Sequence, residues 1–456
     1  MTPAAPDAPA TAWAVEPSGP LRGEVRVAGS KNAITKHMVA AVMGGSPSVI
    51  HNVPDVGDVG ITTDVLRSLG VGVERDGDTI TITPGDEIHP EVPLRYSGLN
   101  RIPILLLGPL LHLHQEAFVP VVGGDRIGAR PVDFHVDALR AFGAEVVETE
   151  DGVRAKVAGR LRGTQITLPY PSVGATETVL LTAALAEGRT VLNNAATEPE
   201  IIELALFLQR MGARVELTPG RRFVVDGVEQ LHGATTRLQG DRLEAFSYLV
   251  AGLVTGGQVR VAGCSQERMV TAISTLQRMG AQLEINDDWI SANAPDGLRA
   301  IAIHTDTHPG FMTDWQSPLF VLMTQAEGMS VLHETVFEDR IRYPAMVVQA
   351  MGGEIELFST CLGGPACRFH DSNAVHSAVV RGVSELQGAH VEIPDLRAGF
   401  SGVIAAAVAR GASVIEGVHH LERGYNQPLE TLQSLGLQVA RTAADPASAA
   451  RPLQAG

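Results

Sequence analysis

A glycine-rich loop around position 125 combines residue types that could carry acid–base chemistry on an anion. It runs from Gly123 to Phe134, after an apolar strand-like stretch and before a helical pattern. It holds one carboxyl group, Asp125, and two guanidinium groups, Arg126 and Arg130. A guanidinium binds phosphate or carboxylate through a rigid fork of donors, and a nearby carboxyl group can exchange a proton with the bound anion. The plainer interpretation is a surface turn with solvated charges.

An internal repeat predicts the elements that position this loop. A short signature of an apolar residue followed by glycine recurs six times, at intervals of 68 to 84 residues. Each copy ends a helical pattern and precedes a strand-like alternation. The six glycines are Gly70, Gly143, Gly212, Gly280, Gly352 and Gly436. Six units of about 70 residues, each roughly β-α-β-α-β-β, divide naturally into two domains of three, with apolar helices buried inside each domain.

Polar loops at the starts of the predicted helices carry the remaining charges of interest. Because helix N-termini favour anions, a cleft lined by these ends would hold an anionic ligand. An ordinary helix cap is an equally good interpretation for Ser172, Asp241 and Asp395. Ligand contact is favoured for Lys31-Asn32 and for Arg397. The loops hold Lys31-Asn32, Asn100-Arg101, Ser172 and Thr176, Asp241-Arg242, Thr313-Asp314, and Asp395 with Arg397.

Composition bounds the class of protein. The chain has 456 residues, 45% of them apolar and 19% charged, which suits two or three globular domains. A net charge of −16 argues against nucleic acid or an anionic membrane as a partner, but it allows a local cationic cluster for a small anion. The N-terminus lacks the pattern of a signal peptide, and the longest apolar run, 102–111, is too short to span a bilayer. Three cysteines indicate a reducing cytoplasm.

Histidine and cysteine spacing gives no metal prediction. The chain has 15 histidines, but the pairs His112/His114 and His419/His420 are interpreted as structural. Cys361 and Cys367 are separated by five residues in a Gly-rich stretch, with no second pair for zinc. We therefore expect no metal site and no cofactor.

Ordered motifs along the chain resemble those of the enolpyruvyl transferases of the UDP-N-acetylglucosamine 1-carboxyvinyltransferase type, which begin peptidoglycan precursor synthesis. The resemblance extends from about 19 to 439, nearly the whole chain. The motifs lie at 29–33, 124–133, 171–177, 198–201, 309–314, 334–340, 395–399 and 423–425. The implied fold is α/β, a two-domain inside-out α/β barrel with three repeats per domain, in agreement with the six units.

The resemblance also implies where the domains lie. The chain would cross between them twice, so that one domain comprises 32–239 and the other 13–31 together with 240–440. Residues 1–12 and 441–456 are expected to be disordered tails. The active site would lie in the cleft between the domains, with the loop that holds Asp125 as its lid.

The implied reaction transfers the enolpyruvyl group of phosphoenolpyruvate to the 3-hydroxyl of UDP-N-acetylglucosamine and releases phosphate. Carried over by motif, Asp125, Asp314, Arg397 and Lys31 are the catalytic residues, with Asp314 as general base. The phosphoenolpyruvate-binding residues are Lys31, Asn32, Arg130 and Arg397. The nucleotide-sugar-binding residues are Asn32, Arg101, Arg130, Pro131, Val132, Asp133, Phe134, Ser172, Val173, Asp314 and Val336. Arg340 and Asp241 are carried over as cleft-lining or structural residues.

The main departure from the family pattern is Asp125, where most members have a cysteine that donates a proton and reacts with the epoxide antibiotic fosfomycin. Some members carry Asp. Because a carboxylate attacks an epoxide far less readily than a thiolate, we expect intrinsic fosfomycin resistance. A second departure is the sequence Asn100-Arg101-Ile102-Pro103, and Tyr170 stands at a variable position.

These departures leave alternatives open. One is a paralogous enolpyruvyl transferase of specialised metabolism that acts on another nucleotide or sugar hydroxyl. Another is a catalytically silent homologue that binds nucleotide sugars, against which the joint presence of the catalytic residue types argues. A shikimate-type acceptor fits the nucleotide-contacting motifs less well. The protein is expected to be a monomer or a weak homo-oligomer, with roles in cell-wall biogenesis, cell shape and cell division.

Overall fold

The computed structural model describes residues 11–124, 128, 130–364, 367–393 and 396–443, with the backbone alone for Thr11 and Arg397. The strands are β1 (Thr11–Val15), β2 (Arg22–Arg26), β3 (Ser48–His51), β4 (Gly72–Asp76), β5 (Thr79–Thr83), β6 (Glu116–Pro120), β7 (Glu145–Thr149), β8 (Gly152–Lys156), β9 (Gln165–Thr167), β10 (Arg189–Asn193), β11 (Arg214–Thr218), β12 (Arg222–Asp226), β13 (Thr235–Arg237), β14 (Gln258–Ala262), β15 (Gln282–Ile285), β16 (Trp289–Asn293), β17 (Ala302–His304), β18 (Gly328–His333), β19 (Glu354–Phe358), β20 (Ser377–Gly382), β21 (His390–Glu392), β22 (Ser413–Glu416) and β23 (Val439–Ala443).

The α-helices alternate with these strands along the chain. They are α1 (Lys31–Ala41), α2 (Gly57–Ser68), α3 (Leu107–His114), α4 (Asp133–Ala141), α5 (Val173–Ala183), α6 (Pro199–Arg210), α7 (Arg242–Val254), α8 (Val270–Arg278), α9 (Gln316–Thr324), α10 (Arg342–Ala350), α11 (Leu396–Val408), α12 (His419–Glu422) and α13 (Pro428–Ser434). Short 3₁₀ turns lie at Leu94–Tyr96, Ile102–Leu106, Gln266–Arg268 and Thr313–Trp315.

The repeat unit is seen most clearly in β9-α5-β10-α6-β11-β12. Its sheet has the order β11-β12-β10-β9, in which β9 and β10 are parallel and the other pairs antiparallel. This is the predicted β-α-β-α-β-β unit. The unit around β6 differs, since its sheet β6-β8-β7 has three strands and a single bridge from Glu91 to Phe118 replaces the fourth. Pro90 and Pro93 flank that bridge and have no N–H group to extend a ladder.

The signature glycines end helices as predicted. Each lies two residues beyond the last residue of a helix, directly after the C-cap, and a left-handed backbone there costs glycine no Cβ clash. Their φ angles lie between 87° and 101° at Gly70, Gly143, Gly212, Gly280, Gly352 and Gly436.

The apolar helices lie inside and the sheets outside. Helices α7, α9 and α11 contact one another, and every residue of α7 and α9 is buried. Strands such as β4 and β7 bury one side chain and expose the residues beside it, so the sheets present an outer face to solvent. The buried apolar residues form two clusters: an N-terminal core between Ala33 and Leu238, and a C-terminal core from Trp13 to Val27 and from Leu243 to Val439.

The chain passes between the two cores at adjacent points. Strand β2 pairs with β14 of the C-terminal core, whereas α1, directly after it, belongs to the N-terminal core. Strand β13 pairs with β3, whereas α7 lies in the C-terminal core. Gly29 and Gly240 bridge at the crossing. A Cβ at Gly29 would lie 2.1 Å from the Asn52 carbonyl oxygen, so a side chain does not fit there. The exact domain boundaries at 31/32 and 239/240 stay predictions.

Both ends of the described chain belong to a sheet, which corrects the predicted tails. β1 pairs antiparallel with β23, with Thr11 opposite Ala443 and Val15 opposite Val439. The predicted tails 1–12 and 441–456 therefore overlap these strands by two and three residues. The Trp13 side chain is fully buried and anchors the pair, a contact that the Ala- and Pro-rich composition of the N-terminus conceals. Among the described helices, none combines the length and apolar character needed to cross a membrane.

Candidate active site

A cavity of about 450 Å³ lies between the two cores. Its N-terminal wall includes the starts of α1 and α5, and its C-terminal wall includes the Thr313–Trp315 turn and Leu396 at the start of α11. Several helix N-termini therefore face one space, where the helix dipoles favour an anion. The cavity has the size and polar lining of a small-molecule site.

Two of the predicted helix-end residues are indeed caps. Ser172 Oγ accepts a hydrogen bond from the Ala175 N–H at 3.4 Å. Asp241 accepts from the Leu243 N–H at 2.8 Å and from the Lys31 N–H at 3.2 Å, so it joins the starts of α7 and α1 at the crossing. Ser172 also lines the cavity, whereas buried Asp241 does not.

Lys31 is held by an acidic residue that the sequence did not single out. Its Nζ lies 2.8 Å from Asp58 Oδ2, and Arg423 Nη2 lies 3.1 Å from Asp58 Oδ1. Burial alone would raise the pKa of Asp58, but the Lys31 and Arg423 charges outweigh it and lower that pKa. The ionised carboxylate thus fixes a cation from each core at the cavity wall.

A second pair of cations lies at the glycine-rich loop. Arg101 donates to the carbonyl oxygens of Arg130 at 2.8 Å and Pro131 at 3.2 Å. Burial, and then the Arg130 charge, lower the pKa of Arg101 to about 10. A methyl group at Gly124 would lie 2.7 Å from Arg130 Nη1, so the loop packs directly on these side chains. Two neighbouring guanidinium groups at one cavity favour an anionic ligand, which would relieve their repulsion.

The loop also contacts the opposite wall. A Cβ at Gly128 would lie 2.5 Å from Glu338 Oε2, and the Arg130 guanidinium carbon lies 5.9 Å from the centre of the Phe337 ring. Glu338 and Phe337 line the cavity from the C-terminal side. The described part of the loop therefore contacts both walls of the cavity.

Asp314 supplies a carboxylate in the cavity. Arg340 Nη2 donates to Asp314 Oδ1 at 2.8 Å, and the Asp314 side chain retains partial exposure to the cavity. The ion pair with the buried Arg340 guanidinium holds this carboxylate in a fixed position at the cavity, as a general base would require.

Buried Glu334 holds the segments on both sides of Asp314. Its Oε2 accepts from Thr313 Oγ1 at 2.7 Å and from Gln316 Nε2 at 2.6 Å. Its Oε1 accepts from the N–H groups of Val336 at 2.6 Å and Phe337 at 3.1 Å. One carboxylate therefore fixes both the turn that bears Asp314 and the cavity wall opposite the loop.

An aromatic and a guanidinium group mark the far end of the cavity. The Arg368 guanidinium carbon lies 4.3 Å from the centre of the Tyr170 ring, and Arg368 Nη1 donates to the Val336 carbonyl oxygen at 3.3 Å. Burial raises the pKa of Tyr170 to about 12. Val173 remains 37% exposed beside them, so this end offers apolar and π surfaces together.

A family model described as EPSP synthase (3-phosphoshikimate 1-carboxyvinyltransferase) matches residues 15–432. The UDP-N-acetylglucosamine 1-carboxyvinyltransferase of Chlamydia abortus (strain DSM 27085 / S26/3) is 42% identical over 433 residues, which cover 93% of this chain and 97% of that protein. The protein of that name from Protochlamydia amoebophila (strain UWE25) is 40% identical over 428 residues, 92% of each chain. The chain belongs to the UDP-N-acetylglucosamine 1-carboxyvinyltransferase family.

Solved structures agree with the family at the level of fold. The enolpyruvyl transferase NikO from Streptomyces tendae matches with a TM-score of 0.84 and 25% identity, over 96% of this chain and 100% of that one. EPSP synthase from Acinetobacter baumannii matches with a TM-score of 0.72 and 18% identity, over 95% and 100% of the two chains. The fold is therefore the enolpyruvyl transferase fold that the sequence predicts.

The cavity gathers most of the residues carried over from this family. Those that line it are Lys31, Asn32, Arg101, Arg130, Pro131, Asp133, Phe134, Ser172, Val173, Asp314 and Val336. Val132 is absent from the lining and precedes the first residue of α4. Asp125 and Asp395 lie outside the described residues, as does the side chain of Arg397. The roles of all these residues stay predictions.

Sequence reasoning missed the residues that position the others. Asp58 stands in no quoted motif, and its partners Lys31 and Arg423 are far away along the chain. Glu334 and Arg423 lie inside motifs of this enolpyruvyl transferase family, which was the available signal. Arg368 had no signal, because its loop lies outside every motif.

Proposed function

We propose that the protein transfers the enolpyruvyl group of phosphoenolpyruvate to the 3-hydroxyl of UDP-N-acetylglucosamine and releases phosphate. Family membership at 40–42% identity over nine-tenths of the chain supports this activity. The observation that carries it in the structure is the pairing, in one cavity, of a cation-rich wall with the Asp314 carboxylate held by Arg340.

The cationic wall suits phosphoenolpyruvate. Lys31 and Arg130 line the cavity, and Arg397 is the second residue of α11, whose first residue lines it. Three cations match a substrate that carries a phosphate and a carboxylate. Asn32 joins them at the start of α1. The overall charge of −16 does not oppose this, because the binding charges are local.

The rest of the cavity suits the nucleotide sugar. Arg101 fixes the backbone at 130–131, so the run 130–134 can present its polar groups to the sugar nucleotide. Ser172, Val173 and Val336 line the same end as Tyr170 and Arg368, where a planar base can stack on π and apolar surfaces.

The chemistry needs an acid and a base. A proton goes to the methylene carbon of phosphoenolpyruvate, and the sugar hydroxyl attacks the adjacent carbon as Asp314 takes its proton. Loss of a proton from the new methyl carbon and of phosphate from its neighbour then restores the double bond. We assign the carbon acid to Asp125 from its residue type and position in the sequence. The reaction needs no metal or cofactor, and we propose a reducing cytoplasm as its place.

Asp125 also underlies a proposed resistance to fosfomycin, because a carboxylate opens an epoxide poorly compared with a thiolate. Incubation with the epoxide, followed by intact-mass measurement and a residual-activity assay, tests this. We expect unchanged mass and full activity. A time-dependent adduct on Asp125 would refute the resistance.

Phosphate release from phosphoenolpyruvate with UDP-N-acetylglucosamine as acceptor tests the activity itself. Asp314→Asn should lower kcat by about 10²–10⁴-fold, the usual contribution of a general base. Asp339→Asn is the matched control, because Asp339 pairs with Arg342 at 2.8 Å, outside the cavity lining. Release with another nucleotide alone would indicate the paralogue, and binding without release would indicate a silent homologue.

A further inference from the structure

The hairpin between β19 and β20 carries a long insertion, residues 359–376. The corresponding hairpins of the other described units are short: residues 77–78 join β4 and β5, 150–151 join β7 and β8, and 219–221 join β11 and β12. The repeat itself therefore does not require this insertion, which holds two cysteines and two histidines.

Four side chains of ligand type converge at the base of the insertion. His333 ends β18, Cys361 and Cys367 lie in the insertion, and His376 directly precedes β20. One ligand atom from each lies within 4.8 Å of all the others. Cys361 Sγ is 3.8 Å from His333 Nε2, and the two imidazole centres are 5.0 Å apart. The prediction that the cysteines lack a second pair is therefore wrong: the sheet register supplies two histidines.

The hydrogen bonds around the cluster fix which histidine nitrogens face it. His376 Nδ1 lies 2.7 Å from the Ala374 carbonyl oxygen, which can only accept, so Nδ1 carries the proton. Ser377 Oγ donates to the Thr360 carbonyl oxygen at 2.8 Å, so it accepts from His333 Nδ1 at 3.0 Å. In both rings Nε2 is then the unprotonated nitrogen, as metal ligation requires.

One of these two nitrogens, that of His376, makes no hydrogen bond within the described structure. The His376 side chain is fully buried, and its Nε2 has no hydrogen-bond partner among the described residues. A buried acceptor without a partner destabilises a fold, and a bound metal ion would satisfy it. The neighbouring Gly363 permits the close approach, because a Cβ there would lie 2.7 Å from His333 Nε2.

We propose that His333, Cys361, Cys367 and His376 form a structural zinc site. Two sulfur and two imidazole ligands are a typical set for tetrahedral Zn²⁺, with Zn–S and Zn–N bonds of about 2.3 and 2.0–2.1 Å. These bonds place ligand atoms roughly 3.3–3.8 Å apart, so the cluster needs only a small contraction. Two thiolates would balance the charge of the ion in this mostly buried place. Four protein ligands close the site, which indicates a structural ion.

The site adjoins the cavity through two of its ligands. Cys367 precedes Arg368, which lies over Tyr170, and His333 precedes Glu334, which holds Val336. Zinc would therefore anchor the wall at the nucleotide end of the cavity. This consequence rests on the proposed function, whereas the presence of the ion does not.

Metal analysis of the full-length protein, purified in reducing buffer without chelator from zinc-supplemented cells, tests the proposal. We expect close to one zinc per chain in the wild type and a loss of at least fivefold in Cys361→Ser and Cys367→Ser. Cys264→Ser is the matched control, since Cys264 is buried in the C-terminal core beside Met269. His370→Ala, an exposed histidine of the same insertion, is the second. Both controls should retain the ion.

Two further measurements keep the test decisive if the serine variants fold poorly. Zinc-free wild type reloaded with Co²⁺ should show the absorption of a tetrahedral thiolate complex, and zinc should raise its melting temperature in the absence of substrate. The proposal would be overturned if the wild-type protein held no zinc and gave no cobalt spectrum, or if Cys361 and Cys367 formed a disulfide instead of binding the ion. Metal removal should also raise KM for the nucleotide sugar while KM for phosphoenolpyruvate stays constant; an inactive holoprotein would count against the proposed function alone.

Discussion

Asp58→Asn is the substitution for which the structure gives the sharpest expectation. The carboxylate lies between Lys31 at 2.8 Å and Arg423 at 3.1 Å, and it joins a cation of each core. The Asp58 side chain is 9% exposed. An asparagine of the same shape loses the charge, and its NH₂ group cannot accept from a cation.

The size of the effect follows from these two contacts. A hydrogen bond to a charged group contributes about 1.5–3 kcal/mol. The Arg423 side chain is 30% exposed, so solvent screening puts its share at the lower end. The expected loss in the free energy of unfolding is therefore about 3–4 kcal/mol at neutral pH. Because the pKa of Asp58 is lowered on folding, this stabilisation is present above the ordinary value of 3.8 and is lost as pH falls below it.

Urea unfolding at neutral pH, together with KM for each substrate, measures both consequences. Asp55→Asn is the matched control, since the Asp55 side chain is 69% exposed and 3.6 Å from Arg75, and it should change the stability by less than about 1 kcal/mol. With Lys31 no longer fixed, KM for phosphoenolpyruvate should rise about tenfold, roughly 1.4 kcal/mol. Equal stability of the Asp58 and Asp55 variants, with unchanged KM, would refute the reasoning.

Three further predictions concern other parts of the fold. Burial raises the pKa of Glu177 from 4.5 to about 7, so between these pH values the folded state holds a proton that the unfolded state has lost, and the free energy of unfolding falls by about 3 kcal/mol as pH rises. In melting experiments over this pH range, Glu177→Gln should not show the fall, and a pH dependence parallel to that of the wild type would contradict the prediction. Glu334→Gln replaces one carboxylate oxygen with an NH₂ group, so two of the four donors that Glu334 accepts from lose their acceptor, and the free energy of unfolding in urea should fall by about 3 kcal/mol. A fall of less than about 1 kcal/mol would count against a positioning role for Glu334. Gly29→Ala should prevent stable folding, because its Cβ would overlap the Asn52 carbonyl oxygen, whereas a Cβ at Gly60 meets open space and Gly60→Ala should be neutral or stabilising. If thermal melting showed both variants to be soluble and equally stable, the clash at Gly29 would be excluded.

The fold could be predicted because its signals are local and repeated. A glycine just past a helix needs only its own left-handed backbone, and Gly70 and Gly436 both have it, with φ of 90° and 99°. Helices apolar on all sides must be buried wherever they lie, and α7 is. The missing strand before β6 could have been suspected from Pro90 and Pro93. The strands at the two ends of the described chain could not be predicted, since β1 is fixed by pairing with β23 more than 400 residues later.

The residues of the site could be predicted where the type of a single residue in a single loop is enough to indicate contact with a ligand. Lys31, Arg101 and Asp314 lie in the cavity because each stands at the start of a buried helix or turn. Their partners were not predictable in the same way. Arg423 is separated from Asp58 by 365 positions, and only the folded chain places the two within 3.1 Å.

The histidine–cysteine cluster was even harder to predict from the sequence than the partners of the cavity residues. The spacing of Cys361 and Cys367 is longer than the two to four residues typical between zinc-binding cysteines. The histidine nearest to them in the sequence, His370, is exposed and is not part of the cluster. The second pair comes from strand register: β18 and β20 run antiparallel with His333 opposite Ser377, which puts His376 beside His333 across the sheet. The insertion then needs only to fold back over the strand ends to complete four ligands. A site of this kind can arise from one lengthened hairpin and the end of the neighbouring strand β18 without altering the repeat, which is why the six-unit pattern carries no trace of it.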